Sequence, residues 1–153
     1  MNRADQLFNL NYSIRFEQMM SLFFGRLDRA LSFLLVLLGA SAVGGLFEPK
    51  YIGAAVAVFS AWQFIYQPGA KSAGAVLQAA AYQELLAQAP DLSDAELERK
   101  YHLCGDKDTP ELGVLSHPAW IATAKAMSRD ASVERGPTKI EIAAAFFVGY
   151  WPL

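Results

Sequence analysis

The densest cluster of reactive side chains in the 153-residue chain is HLCGDKD, residues 102–108, which holds His102, Cys104, Asp106 and Asp108. Imidazole, thiolate and carboxylate are the groups that ligate zinc, and a cysteine near a histidine is the start of a nucleophile pair. A zinc site, however, is built from paired soft ligands at short repeated spacings, and a catalytic thiol needs a third group to orient its base. Neither accompanies this cluster, which reads as a solvated turn. The adjoining DKDTPE lacks the glycine and the ligand order of an EF-hand. His117, directly before Pro118, reads as a residue of a helix N-terminus rather than a general base. No phosphate loop, nucleophile elbow or dinucleotide fingerprint occurs. Cys104 is the sole cysteine, which excludes an intrachain disulfide and a Cys-rich zinc site within one chain and fits a reducing compartment. The expectation is a protein that is not an enzyme and holds no metal or cofactor.

The elements that would position such groups are unusual in composition. Charged residues make up 18% of the chain and the hydrophobic set 54%, where an average soluble domain has roughly 25% charged residues. A formal net charge of −2 offers no basic surface to nucleic acid. The apolar residues gather in two runs. Residues 30–47, ALSFLLVLLGASAVGGLF, hold 18 positions without a charge, about 27 Å as a helix against a hydrocarbon core of roughly 30 Å. Residues 51–70, YIGAAVAVFSAWQFIYQPGA, add 20 more, with Tyr51, Trp62 and Tyr66 as rings suited to membrane interfaces. Only Glu48, Pro49 and Lys50 separate the runs, and proline cannot continue the first helix. Neither run shows the polar stripe of a surface helix.

The expectation is therefore an all-α membrane protein. It has a two-span transmembrane helical hairpin in 30–70, with spans at about 30–47 and 51–68, an amphipathic helix in 1–29, and a helical region with an aromatic end in 71–153. The competing readings are a helical hairpin buried in a water-soluble fold and a cleaved signal peptide with an n-region of about 30 residues. Arg15, Arg26 and Arg29 before the first run and Lys71 after the second outweigh Lys50 at the tip, placing both termini in the cytoplasm of a bacterial inner membrane.

Within the runs, Ser41, Ser60 and Gln63 are candidate pore-lining residues; Ser60 and Gln63 are three apart and share a helix face. The alternative is that the hydroxyls bond their own helix backbone and Gln63 sits at the interface. Small residues recur at intervals of four in the pairs Ala40/Gly44, Ser41/Gly45, Gly53/Ala57 and Ala57/Ala61, as candidate packing rows between the two spans or between protomers. Pro68 and Gly69 form a candidate hinge, or an ordinary helix break. Phe146, Phe147, Tyr150 and Trp151 are placed either to anchor the C-terminal segment in a membrane interface or to dock it on the protein's own helices.

Outside the runs, Tyr12, Phe16, Met19, Met20, Phe23 and Leu27 recur at three- and four-residue intervals, the pattern of an amphipathic helix. The alanine-rich SAGAVLQAAAYQELLAQA, residues 72–89, has high helix propensity and is expected to return alongside it. Ser93 with Glu96, and Thr138 with Glu141, have the spacing of capping boxes.

Taken in order, NYSIRF at 11–16, the two short-looped runs, AYQELLAQAPDLSDAELERKY at 81–101 and HPAWIATAKAM at 117–127 resemble the SLATT group of bacterial two-transmembrane proteins over about residues 10–130. The resemblance implies a membrane effector of a nucleotide-linked conflict system that oligomerises and breaches the membrane when a partner signals infection. The chain departs from the group in having no fused nucleotide sensor and in its aromatic end, IEIAAAFFVGYWPL. The functional expectation is an oligomeric integral membrane protein, a pore-forming or membrane-disrupting effector of bacterial defence. The alternatives are a phage or mobile-element interaction protein that blocks or scaffolds a partner without forming a pore, and a holin-like protein. The expected partners are a lipid bilayer, further copies of the chain and a protein regulator, with no nucleic acid.

Overall fold

The computed structural model describes residues 2–43, 48–109, 112–129 and 135–150, and every long regular element among them is an α-helix. The shaft of the fold is α1, Arg3–Val43, 41 residues with no proline to interrupt them. Leu10 and Ile14 on its first part and Phe16, Met19, Met20 and Phe24 further along are all buried, so one helix supplies a wall to two apolar clusters.

Returning antiparallel to it is α3, Pro68–Gln88. Ser72 lies beside Ser21 and Gly25 of α1, and Tyr82 and Leu85 reach the cluster of Leu10 and Ile14. A Cβ on Gly25 would stand 3.0 Å from the Ser72 hydroxyl, so glycine is what lets the two backbones close while Ser72 donates to the Ser21 carbonyl at 2.8 Å. A short 3-10 turn, Ala89–Asp91, leads into α4, Asp94–Gly105, whose Leu97 completes that cluster. Arg3 ties the start of α4 to the start of α1 by donating to the Asp94 carboxylate and to the Ala89 carbonyl.

On another flank of α1 lie α5, Gly113–Ala126, and α6, Lys139–Val148, which close the second cluster with Leu115, Ala119, Ala144 and Val148. Both capping boxes form, at Ser93/Glu96 and Thr138/Glu141. The turn leading from α4 to α5 is pinned by Glu17, a buried carboxylate on α1 that accepts from the Thr109 hydroxyl at 2.8 Å and the Thr109 amide at 3.2 Å. The helix α5 begins at Gly113, ahead of the start read from His117-Pro118, and carries Pro118 in its second turn.

The remaining helix, α2, Pro49–Tyr66, packs along the outer part of α1 to make a helical hairpin. Here the expectation of a membrane protein fails: among the described residues no helix is long and apolar enough to cross a membrane. The physical reasons differ for the two arms. In α1 the apolar stretch is no separate element: it continues the same helix that carries Arg26, Asp28 and Arg29 directly before it. In α2, an 18-residue helix, Lys50 sits in the first turn, Gln63 in the last, and glycine, alanine, tyrosine and tryptophan dilute the strongly apolar residues. It also ends at Tyr66, two residues before the span was read to end. The transmembrane class and the inner-membrane location with its two spans and cytoplasmic termini fall with this finding.

Candidate functional site

The hairpin formed by the outer part of α1 and by α2 is the most distinctive surface of the molecule, and its base is held by specific contacts. Gln63 Nε2 donates to Asp28 Oδ1 at 3.1 Å and to the Ser32 hydroxyl at 3.2 Å, linking α2 to α1. Four residues on, Gln67 adopts the left-handed conformation, φ 48° and ψ 55°, between α2 and α3, which costs a side-chain-bearing residue about 1 kcal/mol. Contacts on both sides hold it. Pro68 is buried at the start of α3, and a Cβ on Gly69 would meet the Asp28 carboxylate at 3.3 Å. The Lys71 ammonium sits 3.4 Å from the Tyr66 ring centroid and 5.5 Å from that of Phe24, and Tyr66 stacks on Trp62 at 4.7 Å. The Pro68-Gly69 pair thus lies inside a packed junction.

Beyond this base the hairpin is exposed on two sides. Leu31 and Leu38 of α1 and Ile52, Ala55 and Phe59 of α2 line the groove between the helices, which widens into recesses of about 470 Å³ near the tip and about 300 Å³ near Trp62. On the far side of α1, Phe33, Val36 and Leu37 face outward; on the far side of α2, Phe64 and Ile65 do, at 78% and 80% exposure. Tyr51, Val58 and Trp62 add further exposed apolar surface.

The residues singled out from the sequence fall unevenly on this frame. Ser41 donates to the Leu38 carbonyl of its own helix at 2.8 Å, Ser60 is exposed, and Gln63 belongs to the base clamp. Ala40, Gly53, Ala57 and Ala61 are exposed, and a Cβ on Gly53 would meet nothing within 4 Å, so this row is not where α1 and α2 meet. Gly44, Gly45 and Trp151 lie outside the described residues. At the C-terminal end α6 docks on protein: Phe147 meets Phe23 edge to face at 5.3 Å, Tyr150 packs on the second cluster, and Phe146 points outward. Periodicity marked none of the base residues Phe24, Asp28 and Lys71 as a unit, because they come from two helices more than 40 positions apart.

The HLCGDKD cluster closes the end of α4 on α3. Asp108 accepts from Tyr82 OH at 2.8 Å and Gln78 Nε2 at 2.7 Å, and Gln78 also donates to the Cys104 carbonyl at 2.6 Å. Burial, then the Asp108 hydrogen bond, raises the Tyr82 phenol pKa, and burial, then the Asp108 charge, raises that of the Cys104 thiol. A thiol pushed in that direction is a poorer nucleophile at neutral pH. Among the described residues no group of three His, Cys, Asp or Glu is arranged to hold a metal ion.

A second polar knot joins α5 to α6. Buried Glu141 receives two hydrogen bonds from Arg135, at 2.6 and 3.0 Å, and others from Thr138, and His117 Nδ1 lies 3.6 Å away. The Arg135 bonds, opposed by burial and aided by Thr138, hold the Glu141 carboxyl at about 2, against an ordinary 4.5. A carboxyl with a depressed folded-state pKa contributes stability that is complete above its unfolded value and is lost as pH falls through the folded one. Wild type should therefore lose thermal stability between about pH 4.5 and pH 2 through this residue, and Glu141→Gln should flatten that part of the profile. Melting curves across the window, with equal acid slopes in both proteins, would count against the Arg135–Glu141 contact.

Comparison with protein-family models, with curated proteins and with solved structures finds no match. The SLATT resemblance therefore rests on the order of sequence features alone.

Proposed function

We propose that the protein is an interaction module that assembles with further copies of itself through the exposed hairpin, in the manner of a scaffold. The observation that carries this reading is the apolar surface of the hairpin. Phe33, Val36, Leu37, Tyr51, Val58, Trp62, Phe64 and Ile65 are all exposed to 40% or more. With aromatic side chains worth roughly 150–250 Å² each, they present on the order of 1,000 Å². That area is divided between the far side of α1, the far side of α2 and the rim of the groove, and a patch of about 300–600 Å² is often a functional surface on a monomer.

A second copy suits this surface better than a charged partner. Along α2 the sole charged side chain is Lys50, which pairs with Glu48 at 2.6 Å at the tip, so the surface has no charge to offer a polar ligand. A copy of the same hairpin matches it in length and in apolar character. Scaffolding requires the exposed surface alone, and no described helix is long and apolar enough to cross a membrane.

Sedimentation equilibrium of the wild type tests the reading. A mass above that of the monomer is expected, falling to the monomer in Phe33→Glu/Phe64→Glu with unchanged helix content. A wild type that stays monomeric across the micromolar range would overturn it, as would one that self-associates no further but floats with phosphatidylethanolamine–phosphatidylglycerol vesicles.

A further inference from the structure

The helix α2 is lightly attached for its length. Of its 18 residues only Ile52 is buried, whereas α3 sinks Ala75, Ala79, Tyr82 and Leu85 into the body. The facing sides of α1 and α2 do not close on each other as side chains in a packed interior do, because recesses of about 470 Å³ and about 300 Å³ lie between them. An isolated helix of this length is marginal in water, so α2 depends on the few contacts that seat it.

Its junction with α3 is also insulated. Pro49 opens α2 and Pro68 opens α3, and a proline has no amide to donate. The Gln67 amide donates to the Gln63 carbonyl at 2.9 Å, and the next contact across the junction is the Lys71 amide on the Gln67 carbonyl at 3.1 Å. Between the two, Gln67 holds the left-handed backbone, φ 48°, which a right-handed helix does not pass through. Loss of the helical hydrogen bonds of α2 therefore stops at Gln67 and leaves α3 intact. What seats α2 is concentrated in its last turn: Gln63 on Asp28 and Ser32, and Trp62 stacked on Tyr66 beside Lys71.

We infer that α2 is a strap: it opens from α1 as one unit while α1 and α3 stay folded, and Gln63 is its latch. Opening uncovers the side of α1 that carries Leu31, Leu34, Leu35 and Leu38. Their spacing of three and four residues puts them on one face, and all four are half-buried while the strap is closed. The strap thus gates a leucine row, hidden when it is closed and presented when it is open. The device belongs to the single chain and does not depend on assembly.

Native-state amide exchange of the full chain in increasing urea, carried out on the monomer at a dilution checked by sedimentation, tests the strap. Amides of residues 53–66 should exchange together, about 100-fold or more faster than those of 10–24 and 75–85, and with little dependence on urea at low concentration, because the opening exposes little surface. Gln63→Ala should speed the exchange of α2 by about 10-fold, since it removes a hydrogen bond to a carboxylate. Leu31 and Phe59 line the recess near Trp62; Leu31→Cys/Phe59→Cys in a Cys104→Ser background, joined by a short bis-maleimide, should slow α2 to the rate of the body. Amides of α2 that share the urea dependence of the body would overturn the strap, because α2 would then open only on global unfolding. Exchange that advances residue by residue from the ends would overturn it as well, showing fraying in place of a unit. Exchange unchanged by Gln63→Ala would remove the latch, and exchange unchanged by the cross-link would show that α2 does not part from α1.

Discussion

Phe24→Ala should lower the free energy of unfolding by about 3–5 kcal/mol, the cost of emptying a closed aromatic site. Phe24 is 1% exposed and sits where the packed body meets the hairpin. Its ring touches that of Phe23 at 5.7 Å and of Tyr66 at 6.0 Å, and lies under Lys71. The cavity would therefore open beneath both the end of α2 and the start of α3. Two effects follow from one substitution: a large loss of stability, read by urea unfolding, and faster amide exchange around Gln63 and Gln67 as the clamp on α2 loosens. Phe33→Ala is the control on the same helix. That side chain is 64% exposed, so its removal should change stability by no more than about 0.5 kcal/mol while weakening self-association. Equal effects of the two substitutions on stability would show that Phe24 does not anchor the hairpin.

That contrast also marks how far the chain could be read before its structure. The apolar spacing from Tyr12 to Leu27 and the alanine-rich return helix are local signals, and the structure places these segments side by side. Both capping boxes were legible because Ser93-x-x-Glu96 and Thr138-x-x-Glu141 state a hydrogen-bond geometry in four residues. The two charge-free runs were legible as a hairpin and misread as spans. Counting uncharged positions treats Ala54, Ala57 and Gly53 like leucine, and it ignores that Arg26, Asp28 and Arg29 belong to the same continuous helix as Leu34 and Leu35. Judged by length and apolar character together, no helix among the described residues qualifies to cross a membrane.

Other features had no local signal at all. Glu17 lies between Phe16 and Gln18 in a sequence that reads as an ordinary amphipathic helix, yet its carboxylate is buried and holds Thr109, 92 positions away. Asp108, read as part of a solvated turn, is the acceptor for Tyr82 and Gln78 from another helix. Gln63 was weighed as a pore residue on its polarity; its partners Asp28 and Ser32 show that the polarity ties two helices together. In each case the deciding contact spans tens of residues, and no pattern within a window of ten or twenty positions encodes it.

Ending the chain after Gly136 should destabilise the protein by about 3 kcal/mol, a fall in melting temperature of about 10 °C, because α6 is a docked wall of the second cluster. Ala144, Ala145 and Val148 are buried there, and Phe147 covers Phe23. The end of α6 is fixed as well: Gly149, at φ 85°, lets its amide reach the Phe146 carbonyl at 3.0 Å and the Tyr150 amide reach the Ala145 carbonyl at 2.9 Å. Arg26 of α1 donates to the Phe147 carbonyl, as a cation suits a helix C-terminus. Truncation removes all of this at once and uncovers Phe23 one turn before the hairpin begins. A point variant separates docking from mere presence. Ala145→Asp places a charge where the side chain is 0% exposed, so it should unseat α6 and reproduce the effect of truncation, whereas Phe146→Ala, at a 68% exposed position, should leave the melting temperature nearly unchanged. A truncated chain that melts like the wild type and stays monodisperse would show that α6 is not part of the folded core, and equal effects of Ala145→Asp and Phe146→Ala would show that the helix docks by a different face.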